Sequence, residues 1–323
     1  MVLNEERLRS MLSRKRHTII SDYENLRLYR EKLRKAYLDH SPTLTSIKAE
    51  TMLQGASGAI PLEPFHRAIP LQKSFMNANE MKKWAADALD ERIIIGIDGS
   101  QIYTSSDFNM PIGYVQVGSF WIHYGSNEST YDHDYLSDVY IGSEATEKQE
   151  SSEPLHKMSV DQRRMTKEIE LASIVVERCV EVGVPTYLMM DTPLLLRYIV
   201  WADFEVKRTM CKTMTQLLEV CKQYQVPLIG YTDYSLAKDI TSTLEKFLQE
   251  ELAVKVSDIA VVGPLLEEAG FGARTSVFRV QHPLLEEFYG KHRDEICFFY
   301  QKVHSDLPIR VEFPLWAFQA GRI

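Results

Sequence analysis

Two aspartates stand where apolar runs stop. Asp98 ends the run in RIIIGIDGSQ (residues 92–101) and Asp191 ends YLMMD (residues 187–191). In an α/β sheet such positions reach the carboxyl edge, where ligands bind. Adjacent strands lie ~4.8 Å apart, so two such carboxylates can share one or two divalent cations, whereas a single strand-end aspartate needs no more explanation than the turn it starts. A third acid lies between them in sequence. Placing residues at ~100° steps puts Met165, Ile169, Ala172, Val176 and Cys179 on one helical stripe with Glu168 inside it, and Glu170, Glu177 and Glu181 on the opposite face. A carboxylate in an apolar stripe needs a partner: a cation shared with Asp98 and Asp191, or Arg164 one turn earlier. Glu170 is the alternative third ligand. Three carboxylates around Mg2+ or Mn2+ suit phosphodiester hydrolysis, because two ions ~3.5–4 Å apart activate a water and stabilise the leaving 3′ oxygen without a nucleophilic side chain. Gly99 and Ser100 leave room there for a phosphate.

The elements that must position these acids follow from the hydrophobic pattern. Residues 92–101, 111–125 and 138–142 read as three strands, the last preceded by a hydrophilic turn, YDHDYLSD. The acidic stretch at 143–154 reads as a loop, and residues 160–183 as a helix closed by Gly183. Strand VPTYLMMDT, a helix over 199–225, strand VPLIGYTD and a helix over 235–252 come next, then three strand-like segments, TSVFRV, EICFFYQKV and PIRVEFPLW. Three antiparallel strands followed by βαβα match the ribonuclease H-like order, so the expected class is α/β, with a mixed sheet flanked by helices and an N-terminal helical extension.

Composition is compatible with that class. With 45% apolar and 25% charged residues over 323 positions, the chain can bury a sizeable core. Its longest apolar stretches fall short of a membrane span and its first residues lack a signal-peptide core, so the expected location is the cytoplasm, with no membrane partner. Four dispersed cysteines, Cys179, Cys211, Cys221 and Cys297, predict reduced core thiols rather than a zinc site. The net charge of −8 is uneven: residues 1–40 carry +4 and the remainder −12. Those first forty residues predict one or two amphipathic helices. A Pro/Gly-containing connector and a short helix (residues 79–91) follow, so residues 1–88 form an expected N-terminal segment and residues 89–323 the main domain. The basic N-terminal segment is expected to be an attachment surface outside the core.

Several stretches together resemble a known family. GIDGS, RRMTKEIELA, MMDTPLL, GYTDYSLAKDIT, GARTSVF and above all ICFFYQKVHSDLPIRVEFPLW look like the NurA nuclease domain in its bacterial form. The resemblance implies a Mn2+-dependent deoxyribonuclease with a ribonuclease H-like core. It implies exo- and endonuclease action on single-stranded DNA and DNA ends. It also implies a homodimer working with a HerA-type hexameric ATPase in end resection, repair or defence. Carried onto this chain, the metal ligands are Asp98, Glu168 (or Glu170) and Asp191. Tyr300, Arg310 and Glu312 match the C-terminal motif as supporting or DNA-contacting residues, Tyr300 being counted among the catalytic set. Ser100, Arg274, Lys238 and Arg310 are the expected DNA contacts. Three departures stand out: Thr192 replaces a glycine usual after the second aspartate, Ala273 replaces an acid beside Arg274, and His304 is only roughly placed for a catalytic histidine. Crowding by Thr192, in an all-carboxylate site, favours Mn2+ over Mg2+.

Other residues have plainer explanations. Asp132, His133, Asp134 and Asp138 suit a hydrophilic turn better than a metal site, Asp233 and Ser235 a turn and helix cap, and Trp201, Trp121 and Tyr114 the core. Two other functions share parts of the pattern. An actin-like or sugar-kinase ATPase would open with IGIDGS but needs a glycine-rich second phosphate loop, which MMDTPLLL lacks. A catalytically degenerate adaptor of a DNA translocase would explain Thr192 and Ala273, but not the retention of every acid.

Overall fold

The computed structural model describes residues 5–40, 44–64, 67–103, 109–125, 128–142, 159–250, 255–304 and 306–323; the acidic stretch at 143–154 lies outside them. Among the described residues nine strands form one mixed sheet: β1 (Gly58–Pro61), β2 (Arg92–Ile102), β3 (Ile112–Tyr124), β4 (Thr130–Ile141), β5 (Thr186–Met190), β6 (Leu228–Thr232), β7 (Phe278–Gln281), β8 (Ile296–Gln301) and β9 (Ile309–Pro314). Their spatial order is β1-β7-β8-β9-β6-β5-β2-β3-β4. The β2-β3-β4 meander is antiparallel, and β5 and β6 run parallel to β2 and to each other. The half β4-β3-β2-β5-β6 is therefore the expected ribonuclease H-like arrangement, with one further antiparallel group added beyond β6.

Alternation along β2 sets the two faces. Ile93, Ile95 and Ile97 are buried on the face covered by α5 (Val160–Val180), while Ile94, Gly96 and Asp98 point the other way. Ser159 opens α5 through a reciprocal capping box with Gln162. The helix α6 (Phe204–Gln223) packs against α5, burying Met210, Met214 and Leu217. All four cysteines are buried and unpaired. No helix among the described residues is long and apolar enough to cross a membrane.

Three expectations need correction. YDHDYLSD is not a turn: β4 begins at Thr130, its alternation separates His133 from the aspartates, and Asp134 and Asp138 pair with Arg178 and Lys167 of α5 at 3.1 Å each. Trp201, expected in the core, is 95% exposed on the connection into α6, whereas Trp121 is buried. The boundary near residue 89 is not a packing boundary. After α1 (Glu5–Arg14), which buries nothing, α2 (Arg16–His40) lays Leu33 and Tyr37 fully into the main core against α7 (Asp239–Leu248) and α8 (Asp258–Ala269). Within the connector, α3 (Ser46–Leu53) precedes β1, which pairs with β7 at the sheet's edge, and α4 (Ala78–Leu89) leads into β2. The α2 register was not legible because its apolar face is buried only over its C-terminal half.

Candidate metal centre

The register of the parallel strands brings two acids to one edge. Ile97 pairs with Met190 in the last step of the β2–β5 ladder, so Asp191, just past the end of β5, lies beside Asp98, which stays within β2 and remains paired with Gly118 of β3. Both line an open groove of about 740 Å3. Asp98 is exposed and its Oδ1 accepts the N–H of Gly99 at 2.7 Å. Glu168 approaches from below on α5 and is 1% exposed. A Cβ added to Gly99 would sit 2.5 Å from Glu168 Oε1, which shows how closely the helix acid underlies the strand. Glu170, by contrast, is exposed between the outer faces of α5 and α6 and does not enter the site.

Electrostatics couples the three acids. Burial pushes the Glu168 carboxyl up to about 7; Arg164 opposes that shift, while the charges of Asp191 and Asp98 add to it. Asp191 is raised as well, first by burial and then by Asp98. The charge of Asp98 raises the proton affinity of both Glu168 and Asp191, and such a cluster of carboxylates is a donor set suited to a hard divalent cation, which relieves the repulsion and prefers oxygen ligands. Among the described residues no three such side chains already surround a common point at ligand distance. The reason is local: Glu168 Oε1 receives Arg164 Nη1, and its Oε2 accepts the Thr192 hydroxyl at 3.2 Å. The donor chemistry fits, and a cation at Glu168 Oε1 would compete with Arg164 for that oxygen.

Thr192 was legible only as a departure from a pattern. In the structure it is buried and holds Glu168, so it positions the acid rather than merely crowding the second aspartate. The loop that follows is fixed at several points. Leu195 N–H donates to Glu312 Oε2 at 3.1 Å, and Tyr289 Oη donates to Leu194 O at 2.7 Å. Gly230 of β6 lets this loop pass, since a Cβ there would stand 2.9 Å from Thr192 O.

The remaining expected site residues separate into two groups. Ser100 on β2 and Lys238 before α7 are exposed, the first beside Asp98 and the second on the β6–α7 connection at the same edge of the sheet. His304, after β8, also reaches that edge, its Nε2 3.4 Å from Asp233 Oδ1. Tyr300 and Arg310 do not: they are 0% and 2% exposed. Arg310 Nε donates to Glu312 Oε1 at 2.8 Å, its Nη1 donates to Tyr300 Oη at 3.1 Å, and Nη2 lies 2.9 Å from Asp239 Oδ2. Neither a DNA-contacting role for Arg310 nor a catalytic one for Tyr300 is compatible with that burial. Arg274 is also committed: its guanidinium donates to both oxygens of Glu63 at 2.7 and 3.0 Å. Glu63 thus supplies the acid that Ala273 lacks, from a segment more than two hundred residues away in sequence.

The family model described as the NurA domain matches residues 92–323. A comparison with curated proteins gives no match. Among solved structures, "Crystal structure of NurA bound to dAMP and manganese" is 10% identical, over 88% of this chain and 85% of that one, with a TM-score of 0.31.

Proposed function

Because the chain belongs to the NurA-domain family, we propose that it is a metal-dependent nuclease that hydrolyses phosphodiesters in single-stranded DNA and at DNA ends. The observation that carries this reading is the meeting of Asp98, Asp191 and Glu168 at one sheet edge. These three residues would hold the cation, Mn2+ in preference to Mg2+, and such a cation supplies activation of water and charge neutralisation at the leaving 3′ oxygen. The chain's own groups do the positioning. The β2 ladder fixes Asp98, the end of β5 fixes Asp191, Thr192 orients Glu168, and the missing Cβ of Gly99 leaves room for that acid. Ser100 and Lys238 are the exposed groups available to DNA, and His304 with Asp233 forms a further polar pair at the same edge.

Cytoplasmic action as a homodimer, with a HerA-type hexameric ATPase in DNA end resection, repair or defence, extends the proposal. Its support is the family together with the apolar side chains exposed on α1 and the start of α2, among them Leu8, Met11, Leu12, Ile19 and Ile20. These face no described part of the chain's core.

The test uses end-labelled single- and double-stranded DNA with Mn2+, Mg2+, Ca2+ or EDTA. Expected are cleavage best in Mn2+, weak in Mg2+ and absent in Ca2+ or EDTA, with 5′-phosphate and 3′-hydroxyl ends. Asp98→Asn and Asp191→Asn should each lower the rate by more than ~100-fold, beyond what loss of a supporting residue costs. Robust cleavage in EDTA, 3′-phosphate products, or a fully active Asp98→Asn variant would sink the reading.

A further inference from the structure

Arg164 has a place in this site that the metal ligands alone do not explain. Its side chain is 15% exposed and spans from the site's rim to the buried carboxylate of Glu168. One nitrogen, Nη1, carries the described interactions, to Glu168 Oε1 and more distantly to Gly99 O at 3.5 Å. The Nε is buried with no hydrogen-bond partner. A guanidinium carries five donors in a planar fork matched to carboxylate and phosphate, so this one is only partly used. Gly99 covers both ends of the pair: a Cβ there would meet Arg164 Cγ at 2.9 Å as well as Glu168 Oε1 at 2.5 Å.

The geometry restricts how a cation can reach Glu168. Oε2 is engaged by Thr192, and Oε1 by Arg164. A divalent ion binding Oε1 competes with the guanidinium for that oxygen, and two cations at one carboxylate repel unless an anion lies between them. Arg164 stands one helical turn before Glu168, toward the N-terminal end of α5, and is tethered to the rim that carries Asp98. A DNA phosphate brought to that rim is an anion with the oxygen geometry that the freed fork matches bidentately. We propose that Arg164 is a substrate-binding residue that exchanges partners: it holds Glu168 until a divalent cation takes that carboxylate, and then binds a phosphate of the DNA strand at the site. The proposal rests on the nuclease reading above.

Two variants separate the functions of the side chain. Arg164→Met keeps an unbranched stem without the fork, and Arg164→Lys keeps the charge without the bidentate geometry. Calorimetric titration with Mn2+ alone measures the first half of the exchange, and fluorescence anisotropy of a labelled single-stranded oligonucleotide, with Ca2+ in place of Mn2+ to prevent turnover, measures the second. Arg164→Met should bind Mn2+ about tenfold more tightly and the oligonucleotide about tenfold more weakly, each being the worth of one charge-assisted hydrogen bond; Arg164→Lys should lie between it and wild type for the oligonucleotide. A purely structural role would leave Mn2+ affinity unchanged or weaken it, and either result, or unchanged oligonucleotide affinity, overturns the proposal. Arg164→Lys keeps the question decidable if Arg164→Met does not fold, since wild-type oligonucleotide affinity in Arg164→Lys has the same force. Asp98→Asn distinguishes the two levels. If it takes up Mn2+ as well as wild type, the metal centre itself is misassigned; if it loses Mn2+ while Arg164→Met behaves as wild type, the exchange by Arg164 alone is wrong.

Discussion

Replacing Glu168 with glutamine should make the metal-free protein more stable at alkaline pH while removing its response to Mn2+. Glu168 is 1% exposed and its carboxyl is raised from the ordinary 4.5 to about 7, chiefly by burial. The sign follows from proton counting. Between about 4.5 and 7 the folded protein keeps a proton that the unfolded chain has released, so stability is fully present below the lower value and falls as pH rises through the upper one. At ~1.4 kcal/mol per pH unit, the whole span is worth on the order of 3 kcal/mol at pH 8. A glutamine side chain would mimic the protonated acid: its oxygen can still accept from Arg164, its NH2, standing where Oε2 was, can donate to the Thr192 hydroxyl, and it never ionises. Glu168→Gln should therefore match wild type near pH 4.5 and melt a few degrees higher at pH 8, and its stability should vary less across that window; Asp191, raised in the same direction, leaves a residual slope. Thermal melts by circular dichroism at several pH values, each with and without Mn2+, measure both effects. A variant that melts below wild type at pH 8, with the pH slope intact, would show that the carboxylate is held by favourable partners rather than penalised by its surroundings.

Four other perturbations have outcomes set by the geometry. Gly99→Ala drives a methyl to 2.5 Å from Glu168 Oε1, so it should cost ~1–3 kcal/mol by denaturant titration and weaken Mn2+ binding in calorimetry. Arg310→Met leaves Asp239 and Glu312 buried without their shared cation, and a loss of ~3–5 kcal/mol is expected in the same titration. Deleting residues 1–15 should leave the melting temperature unchanged, because α1 buries no side chain. Deleting residues 1–40 removes the fully buried Leu33 and Tyr37, worth ~1.5–3 kcal/mol each, from a fold whose total stability is of order ~5–15 kcal/mol, and should yield aggregated or unfolded protein.

The half of the fold that builds the site was legible because its signals are local. Isoleucine runs, the 3.6-residue stripe of α5 and the strand-helix alternation each follow from residues close in sequence. Helical phase put Glu168 in the apolar stripe and Glu170 on the opposite face, and the structure buries the first and exposes the second. What escaped is what long-range pairing decides. Gly58–Pro61 gives no strand signal of its own and becomes β1 because Phe278–Gln281 lies beside it. Helix α8 contains Pro264 in a short apolar run, which reads as readily as a buried strand. The pairing of Arg274 with Glu63 links two segments on opposite sides of the site's sequence.

The C-terminal motif shows why charge in a specific sequence pattern is a poor guide to contact with substrate. IRVEFP presents an arginine and a glutamate at alternate positions of β9, as a DNA-binding strand would, yet Arg310 and Glu312 share the face turned into the molecule. There Arg310 stacks 3.6 Å from the Phe298 ring centroid and joins Tyr300, Asp239 and Glu312, so its charge is satisfied before any ligand arrives. The second oxygen of Glu312 accepts the N–H of Leu195, and Arg197 pairs with the same Asp239 at 2.7 Å. Both contacts fall on the segment that follows Asp191 and carries Thr192. A buried ion network is expensive to assemble, and breaking one member leaves charges stranded, so it tolerates a single arrangement. In this protein that arrangement fixes the loop from which Asp191 and Thr192 are presented. The motif's influence on the metal centre is therefore exerted through the backbone of residues 192–197, and substitutions in it should alter metal affinity and stability together rather than DNA affinity alone.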